Sequence, residues 1–160
     1  MTESVSKGER FLDEGVRIYE FYDEFLVVCP KCGALARVVP VEIDWEKFND
    51  KLFAPRRLIC SKCVCRKNWN GRQISVGGNF DWYFRLPLWL AVPCGGETLW
   101  AYNREHLELI EDYVSAKLRE RTKKGGNSFL SRLPKWIKAA KNRDQVLKAI
   151  GRLKGKITDG

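Results

Sequence analysis

Runs of branched and aromatic residues, separated by turn residues, dominate the first half of the chain. Such runs are typical of β-strands. They predict strands at the end of 16–28 and at 34–41, 55–59 and 66–69. Asn70-Gly71 is a strong hairpin signal and predicts a turn followed by a return strand at 72–76. We therefore expect a small antiparallel sheet in this half of the chain.

In the second half, apolar residues recur at the spacing of amphipathic helices. One stripe predicts a helix over 104–121, for which Asn103 is a suitable N-cap. A short helix is predicted around Pro134, because proline is tolerated in the first turn of a helix. A later apolar stripe predicts a final helix over 143–153. The predicted fold class is therefore α+β, with a small antiparallel sheet followed by C-terminal amphipathic helices.

Residues 79–93, which join the two halves, are rich in aromatic and aliphatic side chains, among them Trp82 and Tyr83. One interpretation is a binding groove for bases or for a peptide. The other is a core layer that covers the sheet. We favour the core layer, because buried apolar area is the dominant stabilising contribution in a small domain. A strand over 97–102 is expected to follow.

Two short cysteine pairs carry the clearest chemical signal. The first pair is Cys29 and Cys32, the second is Cys60 and Cys63, and 27 residues separate them. Each Cys-x-x-Cys turn places two thiolates on one side, and four thiolates suit a tetrahedral Zn²⁺. A metal held by four cysteines has no open coordination position, so the site is expected to be structural and not catalytic.

Other interpretations of the cysteines stay open. A single Cys-x-x-Cys in a reducing compartment can be a redox pair, although we find no thioredoxin-like βαβ context. Disulfides are a further interpretation, but nothing in the sequence indicates secretion. Cys65 follows Cys63 closely enough to compete as a ligand, and Cys94 resembles half a knuckle. For both, a small buried thiol without metal is the simpler interpretation.

With these residues, the segment 24–76 resembles the zinc-ribbon superfamily, especially ribbons like that of general transcription factor IIB. The resemblance implies a Zn²⁺ bound by Cys29, Cys32, Cys60 and Cys63. Rubredoxins share the Cys-Pro-x-Cys-Gly knuckle and bind iron, so a rubredoxin-like iron or redox protein is an alternative. The second knuckle departs from the pattern, because Val64 stands where glycine is common. The whole chain also resembles a bacterial group known only as ribbon-containing proteins, which implies no activity.

The positive charge is concentrated in the last third of the chain. The 160 residues carry a net charge of +9, and residues 114–160 hold 14 Lys and Arg against three Asp and Glu. Such a segment suits phosphate backbones or an acidic protein partner. The candidate nucleic-acid contacts are Lys135, Lys138, Lys141, Arg143 and Lys148. Ribbons commonly bind nucleic acid or act as adapters in transcription or replication assemblies, so the resemblance implies the same two kinds of partner.

A zinc-ribbon domain with one packed helix is predicted over 1–122, followed by a basic helical extension over 123–160. The expected boundary is a flexible break at 123–128, which contains two glycines. The acidic N-terminus does not resemble a signal peptide. No apolar run approaches a membrane span. Six cysteines without secretion favour a reducing compartment, so we expect a cytoplasmic location.

His106 is the only histidine, so a Ser-His-Asp or Cys-His nucleophile system would have to use it. No nucleophile motif accompanies it. Capping or exposure near the helix start is therefore the better interpretation of this residue. Phosphate-binding and dinucleotide-binding glycine motifs are missing from the sequence as well. We expect no enzymatic activity and no small-molecule substrate.

Overall fold

The structure is a computed structural model that describes residues 10–13, 21, 23–41, 51–116, 118–121 and 133–159. Its strands are β1 Arg10–Asp13, β2 Phe25–Val28, β3 Leu35–Pro40, β4 Arg56–Cys60, β5 Arg66–Trp69, β6 Leu90–Cys94, β7 Glu97–Ala101 and β8 Leu118–Arg121. Its α-helices are α1 Arg104–Ser115, α2 Lys135–Lys138 and α3 Arg143–Asp159, with 3-10 turns at Lys51–Phe53 and Ala140–Asn142. The predicted α+β class is confirmed.

Strands β2, β3, β4 and β5 form a four-stranded antiparallel sheet, in which each strand pairs with the next along the chain. All four correspond to strands predicted from the sequence. Successive side chains of a strand point to opposite faces of the sheet. Most inward positions are apolar, and the buried Arg56 is an exception whose guanidinium lies 4.5 Å from the centre of the Tyr83 ring.

The predicted return strand at 72–76 is wrong, because this segment is irregular and joins no sheet. Gly71 lies so close to the Trp69 side chain that a Cβ there would be 3.1 Å from the indole nitrogen. After β5, the backbone at Gly71 therefore passes over the side chain of Trp69, the last residue of the strand, and does not form a hairpin with it. The backbone N–H of Ser75 instead donates to the carbonyl of Trp82 at 3.1 Å, which ties this segment to the covering loop.

The aromatic segment 79–93 is a core layer, as we favoured from the sequence. Trp82 and Tyr83 are buried, and their ring centroids lie 5.2 and 5.9 Å from that of Phe25 on β2. The buried Asp81 carboxylate orders the loop by accepting backbone hydrogen bonds from the turn that follows it. The end of the segment is strand β6, which we did not predict, and it forms a hairpin with the predicted strand β7.

Helix α1 begins as predicted, because the Asn103 side chain accepts a hydrogen bond of 2.9 Å from a backbone N–H of the first turn. The predicted end at residue 121 is wrong, since the helix stops at Ser115. The Arg143 guanidinium donates to the carbonyls of Val114 and Ala116 at 3.1 and 3.3 Å. An arginine from α3 thus donates to carbonyls at the end of α1, which a further helical turn would otherwise satisfy. Strand β8 follows and pairs in parallel with β1.

The C-terminal helices are interrupted near Asn142, and the Asn142 side chain donates to the carbonyl of Trp136 at 2.8 Å. Helix α3 extends to Asp159, so its predicted end at 153 is wrong. Ile157 packs against the helical core, and this burial stabilises the additional turn of the helix. No helix within the described ranges is long and apolar enough to cross a membrane.

The buried apolar side chains form two clusters. The aromatic cluster lies between the four-stranded sheet and the loop that covers it, and consists of Phe21, Phe25, Val27, Cys29, Ala36, Val38, Leu58, Cys60, Trp82, Tyr83, Leu88 and Tyr102. The helical cluster joins the helices to the β6–β7 hairpin, and consists of Leu26, Leu90, Cys94, Leu99, Ala101, Leu107, Ile110, Val114, Leu133, Ile137, Val146, Ala149, Ile150 and Leu153.

Helix α3 shares the helical cluster with α1 and the hairpin. The predicted boundary between 1–122 and 123–160, with its flexible break at 123–128, lies outside the described residues and stays a prediction. Packing nevertheless shows that the last helix rests on the preceding part of the chain.

Candidate metal centre

The first knuckle lies at the tip of the β2–β3 hairpin. The backbone N–H of Cys29 donates to the carbonyl of Ala34 at 2.7 Å, and Gly33 N–H donates back to the Cys29 carbonyl at 2.9 Å. Gly33 has a φ of 77°, in the left-handed region that glycine adopts without a steric cost. The backbone N–H of Lys31 lies 3.4 Å from the Cys29 sulfur and donates to it. The tight turn therefore aims a backbone dipole at a thiol.

The second knuckle connects β4 to β5. It closes with a hydrogen bond of 3.0 Å from the Cys60 N–H to the carbonyl of Cys65. Val64 occupies the position where ribbons commonly have glycine, and its φ is 52°. A β-branched residue in this region is an outlier that costs about 1–2 kcal/mol. The knuckle thus keeps its turn geometry despite an unfavourable residue.

Pairing of β3 with β4 brings the two knuckles together, because Ala36 lies opposite Cys60. The sulfur atoms of Cys29, Cys32, Cys60 and Cys63 all lie within 4.8 Å of one another. The Cys29–Cys63 and Cys32–Cys60 sulfur separations are both 3.6 Å. A tetrahedral metal with metal–sulfur bonds of about 2.3 Å requires sulfur separations of about 3.8 Å. The four thiols therefore have the spacing that one metal ion needs.

The pKa values of these thiols differ because their surroundings differ. Burial opposes ionisation of Cys29, but the backbone N–H groups of Cys32 and Lys31 lower its pKa to about 6. The backbone N–H of Cys63 lowers the pKa of Cys60. Burial and the neighbouring thiols raise the pKa of Cys63 itself to about 12. Four thiolates so close together repel one another, and a bound cation would remove that repulsion.

The two remaining cysteines lie outside the cluster of four sulfur atoms that the described residues form. Cys65 is half-buried and contributes its backbone carbonyl to the second knuckle. Cys94 is buried at the end of β6, where its thiol lies 3.9 Å from the carbonyl of Gln145, and burial raises its pKa. All six cysteines are free thiols. The geometry thus groups Cys63, and not Cys65, with the other three.

The five candidate nucleic-acid contacts lie on α2, α3 and the turn between them. Lys135, Lys141 and Lys148 are exposed, and Lys138 is half-buried. Arg143 differs from the four lysines, because its guanidinium donates to backbone carbonyls at the end of α1. The structure therefore gives Arg143 a role within the fold and leaves three lysines at the surface.

Other cations of α3 also contact the rest of the fold, which the charge pattern alone did not predict. Arg152 donates to the carbonyl of Pro93 at 3.0 Å, and Lys154 forms a salt bridge with Glu111 at 2.5 Å. The Lys156 ammonium lies 5.0 Å from the centre of the Trp89 ring. These cations lie on a helix that also carries a strong apolar stripe. That stripe was the feature of the sequence that could have indicated their packing against the fold. Several of the positively charged side chains in this segment therefore bind other parts of the fold and do not only face solvent.

The interpretation of His106 as exposed is wrong, because its side chain is fully buried. Its Nδ1 accepts a hydrogen bond of 2.9 Å from the backbone N–H of Tyr102, so the ring caps backbone just before α1. Phe21 stacks on it at 4.8 Å, and Trp100 lies edge-on at 6.0 Å. Burial lowers the pKa of His106 to about 3. The imidazole is therefore neutral in the folded protein near pH 7.

Comparisons of the chain with protein-family models, with curated proteins and with solved structures found no match.

Proposed function

We propose that this chain is a zinc-ribbon protein that holds one structural Zn²⁺ through Cys29, Cys32, Cys60 and Cys63. The observation that carries the proposal is the meeting of their four sulfur atoms within 4.8 Å. Four thiolates fill all positions of a tetrahedral ion, so no position remains for water or a substrate. The ion would join the tips of two hairpins, which gives it a role in folding and not in catalysis.

Elemental analysis of the purified protein tests this proposal. We expect about one zinc per chain. Iron in the same four thiolates is the rubredoxin-like alternative, and it would give a coloured protein because iron–thiolate centres absorb visible light. A metal-free protein that keeps its fold would contradict the proposal. Thiolate ligation also agrees with the reducing, cytoplasmic location expected from the sequence.

We further propose that the protein is not an enzyme and binds nucleic acid through its basic C-terminal region. The residues that support this are Lys135, Lys138, Lys141 and Lys148. Three of these lysines are exposed on consecutive elements of one segment. Lysine side chains neutralise phosphates and release counterions, which is a sequence-independent source of affinity.

A titration of labelled nucleic acid at two salt concentrations tests this second proposal. We expect affinity to fall steeply with salt. Replacing Lys135, Lys138 and Lys141 with Gln should reduce the slope of log affinity against log salt by about 2 to 3. Wild-type protein that binds no nucleic acid at low salt would contradict the proposal. The adapter function, with an acidic protein as partner, would then be the better hypothesis.

A further inference from the structure

The outer face of the four-stranded sheet carries an ordered set of arginines. Strand pairing places Arg37 of β3 opposite Ile59 of β4, and Ile59 opposite Arg66 of β5. In the next row, Arg57 lies between Val39 and Asn68. Residues directly paired on adjacent strands project from the same face of a sheet. Three arginines from three strands therefore share one face with two aliphatic side chains, Ile59 and Val39.

This part of the face is not covered by either hydrophobic cluster of the described residues. Ile59 and Val39 belong to neither cluster and are only half-buried. Arg37 and Arg66 are exposed. By contrast, Leu26 on the same face of β2 is buried in the helical cluster. The helical cluster thus covers β2 and reaches Leu35 at one end of β3, whereas Arg37 and Arg66 remain exposed and Arg57 is half-buried.

The charge of this surface is positive. Arg37 pairs with the Glu24 carboxylate, and Arg57 donates through Nε to the Asn68 side chain at 3.2 Å. The Arg37 and Glu24 side chains are 60% and 30% exposed, so the ion pair is a weak one that a phosphate can replace. With neighbouring strands about 4.8 Å apart, Arg37 and Arg66 are separated by about 10 Å at the backbone.

We propose that this face binds single-stranded nucleic acid, with Arg37, Arg57 and Arg66 contacting phosphates or stacking on bases. The inference rests on the proposed nucleic-acid function and adds a second contact surface to the C-terminal lysines. A guanidinium can pair with a phosphate or lie flat on a base. Ile59 and Val39 offer apolar contact to unpaired bases, which a duplex keeps stacked inside. The mixture of arginine and aliphatic side chains therefore fits a single strand better than a duplex.

The decisive variant is Arg37→Gln combined with Arg66→Gln. Its matched control is Arg72→Gln with Arg85→Gln, which removes two arginines that are also exposed but lie on the loop that follows β5. That loop covers the opposite face of the sheet through Trp82 and Tyr83. Both variants change the net charge by the same amount, so a general loss of positive charge affects them equally. Metal content and thermal unfolding of each variant verify the fold.

Fluorescence anisotropy with labelled oligothymidylate and oligouridylate gives the readout, with duplex DNA of the same length as a further probe. We expect the Arg37/Arg66 variant to bind single strands about tenfold more weakly and to lower the salt slope by about 1.4, at about 0.7 per phosphate contact. The control variant should stay within about twofold of wild type. DNA and RNA single strands are both expected to bind, because the recognised groups are phosphates and unpaired bases.

Each other outcome is informative. If wild-type protein binds single strands and the Arg37/Arg66 variant binds equally well, the sheet face is excluded while the C-terminal proposal stands. Duplex binding as tight as single-strand binding would overturn the single-strand assignment. Labelled polyglutamate that binds more tightly than oligonucleotides, with the same dependence on Arg37 and Arg66, would assign the face to an acidic polypeptide. A wild-type protein that binds none of the nucleic acids would remove both proposals.

Discussion

The half of the molecule that contains the sheet and the half that contains the helices are built on different principles. The sheet half packs aromatic rings on short strands, and four cysteines lie together at its two hairpin tips. The helical half packs aliphatic side chains from three helices and a hairpin. It also uses cations to satisfy backbone carbonyls, as Arg143 does at the end of α1.

This difference predicts where each half is vulnerable. The tips of short strands bury little apolar surface of their own, so we expect the sheet half to depend on the proposed metal for folding. A helical bundle gains mainly from burial of a continuous apolar stripe, so it depends on individual large side chains. Experiments that damage one half while monitoring the other can therefore test the comparison directly.

Removal of a metal ligand should have the largest effect. We expect Cys32→Ser and Cys63→Ser to lose the metal and to unfold the sheet half, because metal binding and folding are coupled in such sites. Cys65→Ser is the matched control, since the Cys65 thiol lies outside the cluster and should not be needed for metal binding. Elemental analysis with circular dichroism makes the measurement. Metal loss from Cys65→Ser but not from Cys63→Ser would show that the ligand set is wrong.

Truncation of a helical core residue should be the next largest effect. Leu153→Ala removes a fully buried side chain from the helical cluster, which costs about 2–5 kcal/mol through lost burial and the cavity left behind. Denaturant unfolding followed by circular dichroism measures this loss. If the two halves are separately supported, the folded variant keeps its metal. A Leu153→Ala protein that releases its metal under native conditions would contradict that separation.

Removal of the Arg143 side chain tests the cap at the end of α1. Arg143→Ala should lower the free energy of unfolding by about 1.5–3 kcal/mol, because hydrogen bonds from a charged donor to two carbonyls are lost. Lys148→Ala, an exposed change on the same helix, should alter it by less than about 0.5 kcal/mol. Equal unfolding free energies for the two variants would show that Arg143 is not a structural cap.

The buried histidine should make stability depend on pH. The unfolded chain protonates His106 below about pH 6.5, whereas burial keeps its pKa at about 3 in the folded protein. Its contribution is therefore fully present well above pH 6.5 and is lost as the pH falls, by about 1.3 kcal/mol between pH 7 and 5.5. His106→Asn retains a side-chain acceptor and should lack this part of the pH dependence.

Unfolding free energies at the two pH values, measured for wild type and His106→Asn with metal content monitored, isolate this term. Acid also weakens thiolate ligation, so only the difference between the two proteins reports on the histidine. Identical pH dependence in both proteins would mean that His106 does not sense pH in this range.

Local patterns were sufficient to predict much of this protein. The alternation of β3, the turn residues around Cys29 and Cys32, and the N-cap at Asn103 each act over a few neighbouring residues. The grouping of the four cysteines also followed from their spacing, because two Cys-x-x-Cys turns need only one sheet to bring them together. These signals are visible in the sequence because the interacting groups are close along the chain.

Contacts between distant residues decided the rest. The α1 stripe continues to Leu118 in the sequence, yet the helix ends at Ser115, where Arg143 caps its carbonyls. The ring of His106 is buried because Phe21 and Trp100 close around it. The charge pattern alone did not show which lysines and arginines remain exposed. Their exposure depends on whether packing places a carbonyl or a carboxylate close enough for them to bind. The sequence by itself determined most of the elements and the cysteine pairs. The tertiary structure determined the pairing of β6, where elements end and which charges face solvent, because those outcomes depend on partners far away along the chain.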